Sequence, residues 1–362
     1  MMPKVAFQVV SYWSKEGEQD LEALRCSLEA VDYPHDRWRI VVIDNPSPHG
    51  RALEYLKREW LSRSGTTLPE VELVVNEHNT GFAGGHMSGF TAAKRWAADY
   101  LYISNQDASV APDFLTHIVS RAEREPETAL WQSQLLLKQT PNVLNSAGNA
   151  LHFLGFGYCI GYKQTVEEAE RNRPPMFYAS GAAMLVRVSV LPRIGLFDER
   201  YFMYHEDVDL AWRARLAGFG VGYVKESIAY HRYEFSRSIK KFYWMERNRH
   251  LTNLVNYKIS TLFLIAPAVL IMELGTFGFA IKSGWWKEKL RAWLFFTRPS
   301  TWVMIIHRRR FVQTMRRRTD QEMLSQMVGI IDAQEVQNPL MRFVANPMLQ
   351  IYFWFVKALV RW

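Results

Sequence analysis

Short apolar runs in the first half of the chain end in polar residues and alternate with segments of helical spacing, and that rhythm leaves few folds open. Residues 5–10 are apolar, residues 20–30 carry apolar side chains at helical intervals, and residues 39–43 form a second apolar run ending at Asp44 and Asn45. Residues 71–75 read as a third strand, 91–98 as a helix, and 100–104 as a fourth strand ending at Asn105, Gln106 and Asp107. Residues 182–186 read as another buried strand. Strands that alternate with amphipathic helices predict an α/β fold built on a mostly parallel sheet. In such sheets the loops after the strand C-termini carry ligands, so the polar residues there are site candidates.

The stretch YHEDVDLAWRARLAG, from Tyr204 to Gly218, predicts a short helix with acids at its mouth. Glu206, Asp207 and Asp209 crowd its start, Arg213 and Arg215 follow, and Gly218 closes it, in keeping with the helix dipole and a glycine cap. Leu210, Ala214 and Ala217 would pack inward and hold the acidic end still. Fixed carboxylates there can take a proton or face a metal; alone, they also suit an ordinary N-terminal turn.

Asp44, in VVIDNPSPHG, can accept from a nucleobase imide or ribose hydroxyls, or simply cap the turn. The stretch NTGFAGGHMSGF, Asn79 to Phe90, precedes a helix; its glycines, Gly81 and Gly84 among them, let backbone approach a ligand and offer amides to phosphate. Gly81, Gly84, Gly85 and Gly89 do not match G-x-G-x-x-G, which argues against a dehydrogenase. Asn105 and Asp107 can point to one pocket, where an oxygen ligand reaches Mg²⁺ or Mn²⁺ on a diphosphate, or form an Asx turn. His231 gains value from Asp107, because imidazole with carboxylate suits Mn²⁺. Arg247 and Arg249 could neutralise a leaving phosphate, or form a solvated helix face.

Charge divides the chain. Residues 258–362 hold 15 Lys and Arg against 6 Asp and Glu, a net +9, while residues 1–257 balance near zero at −1. The basic excess is mixed with aromatics and apolar runs, which points to an anionic membrane surface rather than nucleic acid. Residues 259–281 carry Glu273 as their one formal charge and are flanked by Lys258, Lys282, Lys287 and the Trp285–Trp286 pair. The run is long enough to cross a bilayer, but Pro267, Glu273, Gly275 and Gly278 make it an imperfect span, which favours a re-entrant or interface-embedded helical hairpin over a full crossing. Residues 346–362 repeat the aromatic, apolar theme. Residues 163–175, polar with two prolines, predict a mobile surface loop near the site or an excursion between strands. Cys26 and Cys159 make neither a disulfide framework nor a zinc site, and the start of the chain does not read as a signal peptide.

In order, the strand-end DN, NTGFAGG, SNQD, NSAG, SGAAMLVR, GLFDERYFMYHEDVDLAWRARLAG and the histidine of AYHR resemble glycosyltransferase family 2, in particular its bacterial rhamnosyltransferase-like branch, over roughly residues 5–256. The resemblance implies a GT-A fold, placed in residues 1–257, and an inverting transfer from a nucleotide-sugar; the basic, aromatic and apolar remainder, 258–362, is expected to form a C-terminal helical membrane-associating region. It implies that Asp44 contacts the nucleobase end, that Asn105 and Asp107 form the DxD-like element with Asp107 on the metal, and that His231 helps hold metal and diphosphate. Asp207 matches the general base of the ED motif, with Glu206 as the alternative. Gly181 and Ala182, and with them Trp212, fall where the family shapes the sugar and acceptor pocket. Two positions depart from the family: Asn105 replaces the first acid of a strict DxD, and SYW at Ser11 and Tyr12 replaces YN beside the base.

The implied partners are Mn²⁺ or Mg²⁺, a nucleotide-sugar such as dTDP-rhamnose, and a polyprenyl-diphosphate-linked glycan at the cytoplasmic face of a bacterial inner membrane; no nucleic acid is expected. The competing readings are a transferase acting on a polyprenyl phosphate and a non-catalytic nucleotide-sugar-binding scaffold.

Overall fold

The computed structural model describes residues 2–171, 173–233, 241–332 and 339–362. Strands β1 (Val5–Tyr12), β2 (Trp38–Asn45), β3 (Glu70–Val75) and β4 (Tyr100–Asn105) alternate with α1 (Lys15–Glu29), α2 (Leu53–Glu59) and α3 (Gly81–Arg95). After β5 (Ala108–Val110) and α4 (Phe114–Arg124) come β6 (Thr128–Leu137), β7 (Thr140–Ser146), β8 (Asn149–Leu151) and β9 (Gly157–Cys159). Then follow α5 (Val166–Arg171), β10 (Ala183–Arg187), α6 (Leu191–Ile194), α7 (Glu206–Leu216) and β11 (Gly220–His231). Helices α8 (Lys241–Asn256), α9 (Ile259–Lys282), α10 (Trp286–Phe295), α11 (Pro299–Met315), α12 (Asp320–Ser325) and α13 (Asn346–Leu359) complete the described chain.

Among the described residues the main sheet has nine strands in the order β3-β2-β1-β4-β10-β6-β11-β5, with β7 paired to β6. Strands β3, β2, β1 and β4 are parallel; β10 runs antiparallel between β4 and β6, and β11 returns parallel to β6. Register sets Ser11 against Asp44 and Val10 against Asn105, so the C-termini of β1, β2 and β4 end level. Because β10 is reversed, its start lies at that same edge, where the Asn105 amide donates to Ala182 O at 3.2 Å.

The strand pleat sorts the core. Val5, Phe7 and Val9 of β1 with Tyr100 and Tyr102 of β4 face α1 and α4, whereas Ala6, Leu101 and Ile103 face the side that holds α7. Helix α3 lies close on that second side. A Cβ on Gly85 would sit 2.7 Å from Val10, and one on Gly89 2.8 Å from Ile43, so these glycines let the helix seat against β1 and β2. The C-terminal helices share an apolar core with α7 and α8: Ile265, Met272, Ile305 and Phe353 belong to the cluster that contains Trp212, Leu251 and Tyr257.

Three local expectations change. Helix α3 starts at Gly81 instead of residue 91, so the glycine-rich stretch is itself helical. Part of the expected surface loop folds as α5. The apolar run forms no hairpin of its own: α9 is one 24-residue helix with Pro267 inside it. Proline costs a helix chiefly through its lost amide bond and its clash with the preceding turn, which a long packed helix tolerates.

Candidate functional site

The level ends of β1, β2 and β4 form one wall of the site. Asp44 is fully buried there; its Oδ1 accepts from the Ala52 amide at 3.0 Å, and its Oδ2 lies 3.8 Å from Arg51 Nε. Burial pushes its carboxyl above the usual range, with the Ala52 amide and Arg51 opposing. Ser11 is equally buried. Its neighbour Asn45 ties the wall to the start of α3: Asn45 Nδ2 donates to Asn79 Oδ1 at 3.2 Å and Gly81 O at 3.1 Å, and Thr80 Oγ1 donates to Asn45 Oδ1 at 3.1 Å.

Asn79 and Gly81 shape that turn. The Gly81 amide donates to Asn79 Oδ1 at 2.8 Å and the Ala83 amide to Phe202 O at 3.1 Å, so protein groups already take these amides, which the sequence offered to phosphate. Gly81 has φ +72°, and a Cβ there would fall 2.3 Å from Phe202 O. The Gly84 position packs on Thr80, its added Cβ only 2.8 Å from Thr80 Cβ.

Beyond β4, the chain brings Asn105, Asp107 and His231 together. Residue 108 pairs with His231 across β5 and β11, which sets Asp107 beside the imidazole. His231 Nε2 lies 3.3 Å from Asp107 Oδ1 and accepts from Asn105 Nδ2 at 3.2 Å. On the other side of the ring, His231 Nδ1 donates to Asn145 Oδ1 at 2.9 Å. With Nδ1 as the donor in this bond, Nε2 can offer a lone pair to a cation held beside Asp107, the arrangement a metal-ligating histidine uses. Gln106 braces the same edge: the Tyr12 amide donates to Gln106 Oε1 at 2.6 Å, and Gln106 Nε2 to Tyr12 O at 3.1 Å.

The opposite wall is the turn into α7. Phe202, Tyr204 and His205 all have positive φ without being glycine. Phe202, at φ 63° and ψ −63°, centres a γ-turn closed by Met203 N donating to Tyr201 O at 2.7 Å. Such conformations cost on the order of 1–3 kcal/mol each and persist only where surroundings hold them. Here Asn248 holds them, its Nδ2 reaching Tyr201 O at 2.9 Å, Met203 O at 2.9 Å and Tyr204 O at 2.7 Å. The result is Glu206 and Asp207 at the first turn of α7, with Asp207 Oδ2 accepting from the Gly181 amide at 3.2 Å and Oδ1 from the Val208 amide at 2.8 Å. Burial pushes the Asp207 carboxyl up to about 6, against those amides. Burial and then the Asp207 charge push Glu206 well above its ordinary value, and its Oε2 has no hydrogen-bond partner. Both carboxyls are thus raised, Glu206 the more, so Asp207 is the one of the pair that gives up its proton more readily.

At the other end of α7, Gly218 at φ +99° does close the helix. Its amide donates to Arg215 O at 2.9 Å and that of Phe219 to Ala214 O at 2.9 Å, a Schellman pair.

Two expected site residues lie elsewhere. Trp212 is fully buried between Phe177 and Tyr257, with ring centroids 5.5 and 4.7 Å away, and so fills the core instead of a pocket. Arg247 does not point at a phosphate: its Nη2 donates to Arg200 O at 2.5 Å and Tyr201 O at 3.1 Å, and its guanidinium stacks over Trp244 at 4.4 Å. It props the same turn that Asn248 holds. Gly181 and Ala182 lie between the two walls: the Gly181 amide donates to Asp207 Oδ2, and Ala182 O accepts from the Asn105 amide. Sequence reasoning gave no role to Asn145, although it opens the NSAG motif, nor to Asn248, whose neighbour Arg247 drew attention by its charge.

A family model described as glycosyltransferase like family 2 matches residues 3–253. The chain is 26% identical over 278 residues to the N-acetylglucosaminyl-diphospho-decaprenol L-rhamnosyltransferase of Mycobacterium tuberculosis, covering 70% of this chain and 78% of that protein. It is 37% identical over 97 residues to the rhamnosyltransferase WbbL of Escherichia coli, covering 24% and 37% of the two chains. In structure it resembles GalNAc-T7 with UDP, GalNAc and Mn²⁺, at TM-score 0.53 and 14% identity, over 70% of this chain but only 48% of that one. It also resembles S. aureus TarS residues 1–349 in complex with UDP, at TM-score 0.51 and 14% identity, over 98% and 90% of the two chains. At such identities the structural likeness shows the fold alone, a GT-A-like mixed, mostly parallel sheet with a C-terminal helical region.

Proposed function

The chain belongs to glycosyltransferase family 2, and from that premise we propose that it moves a sugar, with inversion at the anomeric carbon, from a nucleotide-sugar to a hydroxyl of a polyprenyl-diphosphate-linked glycan. The observation that carries this reading is Asp207: a half-buried carboxylate pinned by the Gly181 amide, beside a buried Glu206 whose carboxyl is raised further still. An acceptor hydroxyl must lose its proton as it attacks, and a base with a value near 6 is ionised at neutral pH while still accepting that proton. A phosphate acceptor would need no such base.

Asp44 and Ser11 flank the nucleoside end of the donor in this reading, and Asn79, Gly81 and Gly84 shape the turn beneath it. The residues present fit a divalent cation: Asp107 and His231 offer a carboxylate oxygen and an imidazole lone pair 3.3 Å apart, and would hold Mn²⁺ or Mg²⁺ there. Such an ion supplies positive charge to the leaving diphosphate. Asn105 orients the imidazole, and Asp207 takes the acceptor proton. The mycobacterial relative supports a decaprenol-type acceptor and L-rhamnose as the first donor to try, as dTDP-rhamnose, with the protein at the cytoplasmic face of a bacterial inner membrane.

The test is a thermal-shift panel of UDP, dTDP, GDP and their sugars with and without Mn²⁺, followed by transfer to a synthetic polyprenyl-diphosphate-linked sugar. A ligand at a hundredfold excess over its Kd stabilises by about 2.7 kcal/mol. One Mn²⁺-dependent nucleotide and one glycosylated product are expected; binding without turnover on any lipid acceptor would support a scaffold instead.

A further inference from the structure

Helix α9 presents two unlike faces along its whole length. Thr261, Ile265, Ala268, Met272 and Ala280 are buried against the protein from the first turn to the last. The other face exposes Phe263, Leu270, Ile271, Leu274 and Ile281, with no charged side chain before Lys282. Its one acid, Glu273, turns inward: its Oε1 accepts from Arg249 of α8, 2.5 Å away, and its Oε2 accepts from Lys289 at 2.8 Å and Trp293 at 2.6 Å, both on α10.

Helix α13 lies beside it. Tyr352 Oη donates to Leu264 O at 2.7 Å, and Trp362 Nε1 to Thr261 Oγ1 at 2.8 Å. Its own outer face, with Met348, Ile351, Trp354 and Phe355, is exposed and apolar, and Phe343 and Val344 extend it. Exposed cations stand around these faces: Lys282, Lys287, Arg291, Arg342 and Arg361. Apolar surface of this extent on a chain with a basic C-terminal region suits an anionic bilayer.

We infer that α9 and α13 lie in the plane of a bilayer, embedded in one leaflet through their outer faces, and that α9 does not cross it. Composition alone permits crossing, since 24 residues of helix reach about 36 Å. Packing does not. A crossing α9 would carry the buried stripe that joins it to α8, and with it Glu246, Arg249 and Lys289, to mid-bilayer depth, where charge is costly. Lying flat keeps that network inside the protein and sets Trp354 and the lysines at headgroup level. The inference rests on burial and charge, independently of the sugar-transfer reading.

The test uses the full chain with Cys26 and Cys159 replaced by serine and a single cysteine placed at Ser260 or Ser283, the exposed positions at the two ends of α9. Bound to sealed vesicles of phosphatidylglycerol and phosphatidylcholine, both cysteines should react with a membrane-impermeant maleimide added outside. A cysteine that reacts only after the vesicles are permeabilised would overturn the in-plane placement. Binding should fall about tenfold or more on pure phosphatidylcholine and for Lys282→Glu with Lys287→Glu. Leu270→Glu with Leu274→Glu should abolish flotation without altering the thermal unfolding midpoint, because both side chains are already exposed. A dimer that ignores vesicles would make a second copy, not a bilayer, the occupant of this face. None of these readouts needs turnover, so failure of the transfer reading leaves them interpretable.

Discussion

Asp207 and Asp209 stand two residues apart on α7 and meet opposite surroundings. Asp207 faces the site with backbone amides as its partners, and burial raises it to about 6. For Asp209 burial acts the same way, but the charges of Arg213 and Arg308 outweigh it and hold the carboxyl below its ordinary range. Arg213 Nε donates to Asp209 Oδ2 at 2.8 Å, Arg308 Nη2 to the same oxygen at 3.3 Å, and Asn256 Nδ2 to Oδ1 at 3.1 Å. The Glu246–Arg249–Glu273–Lys289 network is of Asp209's kind. Burial by itself therefore does not mark a reactive acid; burial without a countercharge does.

The largest expected effect comes from removing the uncompensated acid. Asp207→Asn should lower the transfer rate by up to about 10⁴-fold, the upper range for a general base, with donor affinity nearly unchanged. A raised carboxyl adds stability that is present below 3.8 and lost as pH rises through about 6, so at pH 8 this variant should melt no lower than the parent. A nearly silent variant would instead favour a phosphate acceptor.

The compensated acid should answer in the other currency, stability. Asp209→Asn leaves Arg213 buried without its partner, and should destabilise by about 3–5 kcal/mol in denaturant unfolding while sparing turnover per folded molecule. If Asp209→Asn stops catalysis at full stability, the contrast between the two acids fails. A smaller effect belongs to Asn145→Ala, which frees the His231 tautomer. It should weaken Mn²⁺-dependent nucleotide binding by roughly 10–100-fold, as loss of a ligand's supporting bond does, and a titration with unchanged Mn²⁺ dependence would remove Asn145 from the site.

Much of this contrast was legible in sequence, and the limits are physical. Strand periodicity and the polar residues ending each run located Asp44, Asn105 and Asp107, because parallel strands bring their C-termini to one edge. Acids at the mouth of a helix located Glu206 and Asp207, but not which acid faces the site: Asp209 is held by Arg213 one turn on and by Arg308 of α11, and the second of these, 99 residues away, cannot be read from local spacing. Position in the family motif alone puts Trp212 in the pocket, and its packing between Phe177 and Tyr257 in the core shows only in three dimensions. The left-handed turn at Phe202, Tyr204 and His205 carries no glycine to announce it, since tertiary bonds from Asn248 hold what local preference disfavours. Glu273, the one formal charge of the apolar run, shows no partner in local sequence because its countercharges, Arg249 and Lys289, come from α8 and α10.

The most direct measurement is the pH dependence of kcat at saturating donor and acceptor for the parent and for Glu206→Gln. As the proposed base, Asp207 has to be ionised, so the rate of the parent should halve near pH 6 and fall about tenfold per unit below it. Glutamine mimics a glutamate that keeps its proton, so Glu206→Gln should retain turnover and an acidic limb, displaced little from that of the parent. Loss of turnover in Glu206→Gln, or an acidic limb that survives in Asp207→Asn, would contradict the assignment of Asp207 as the base.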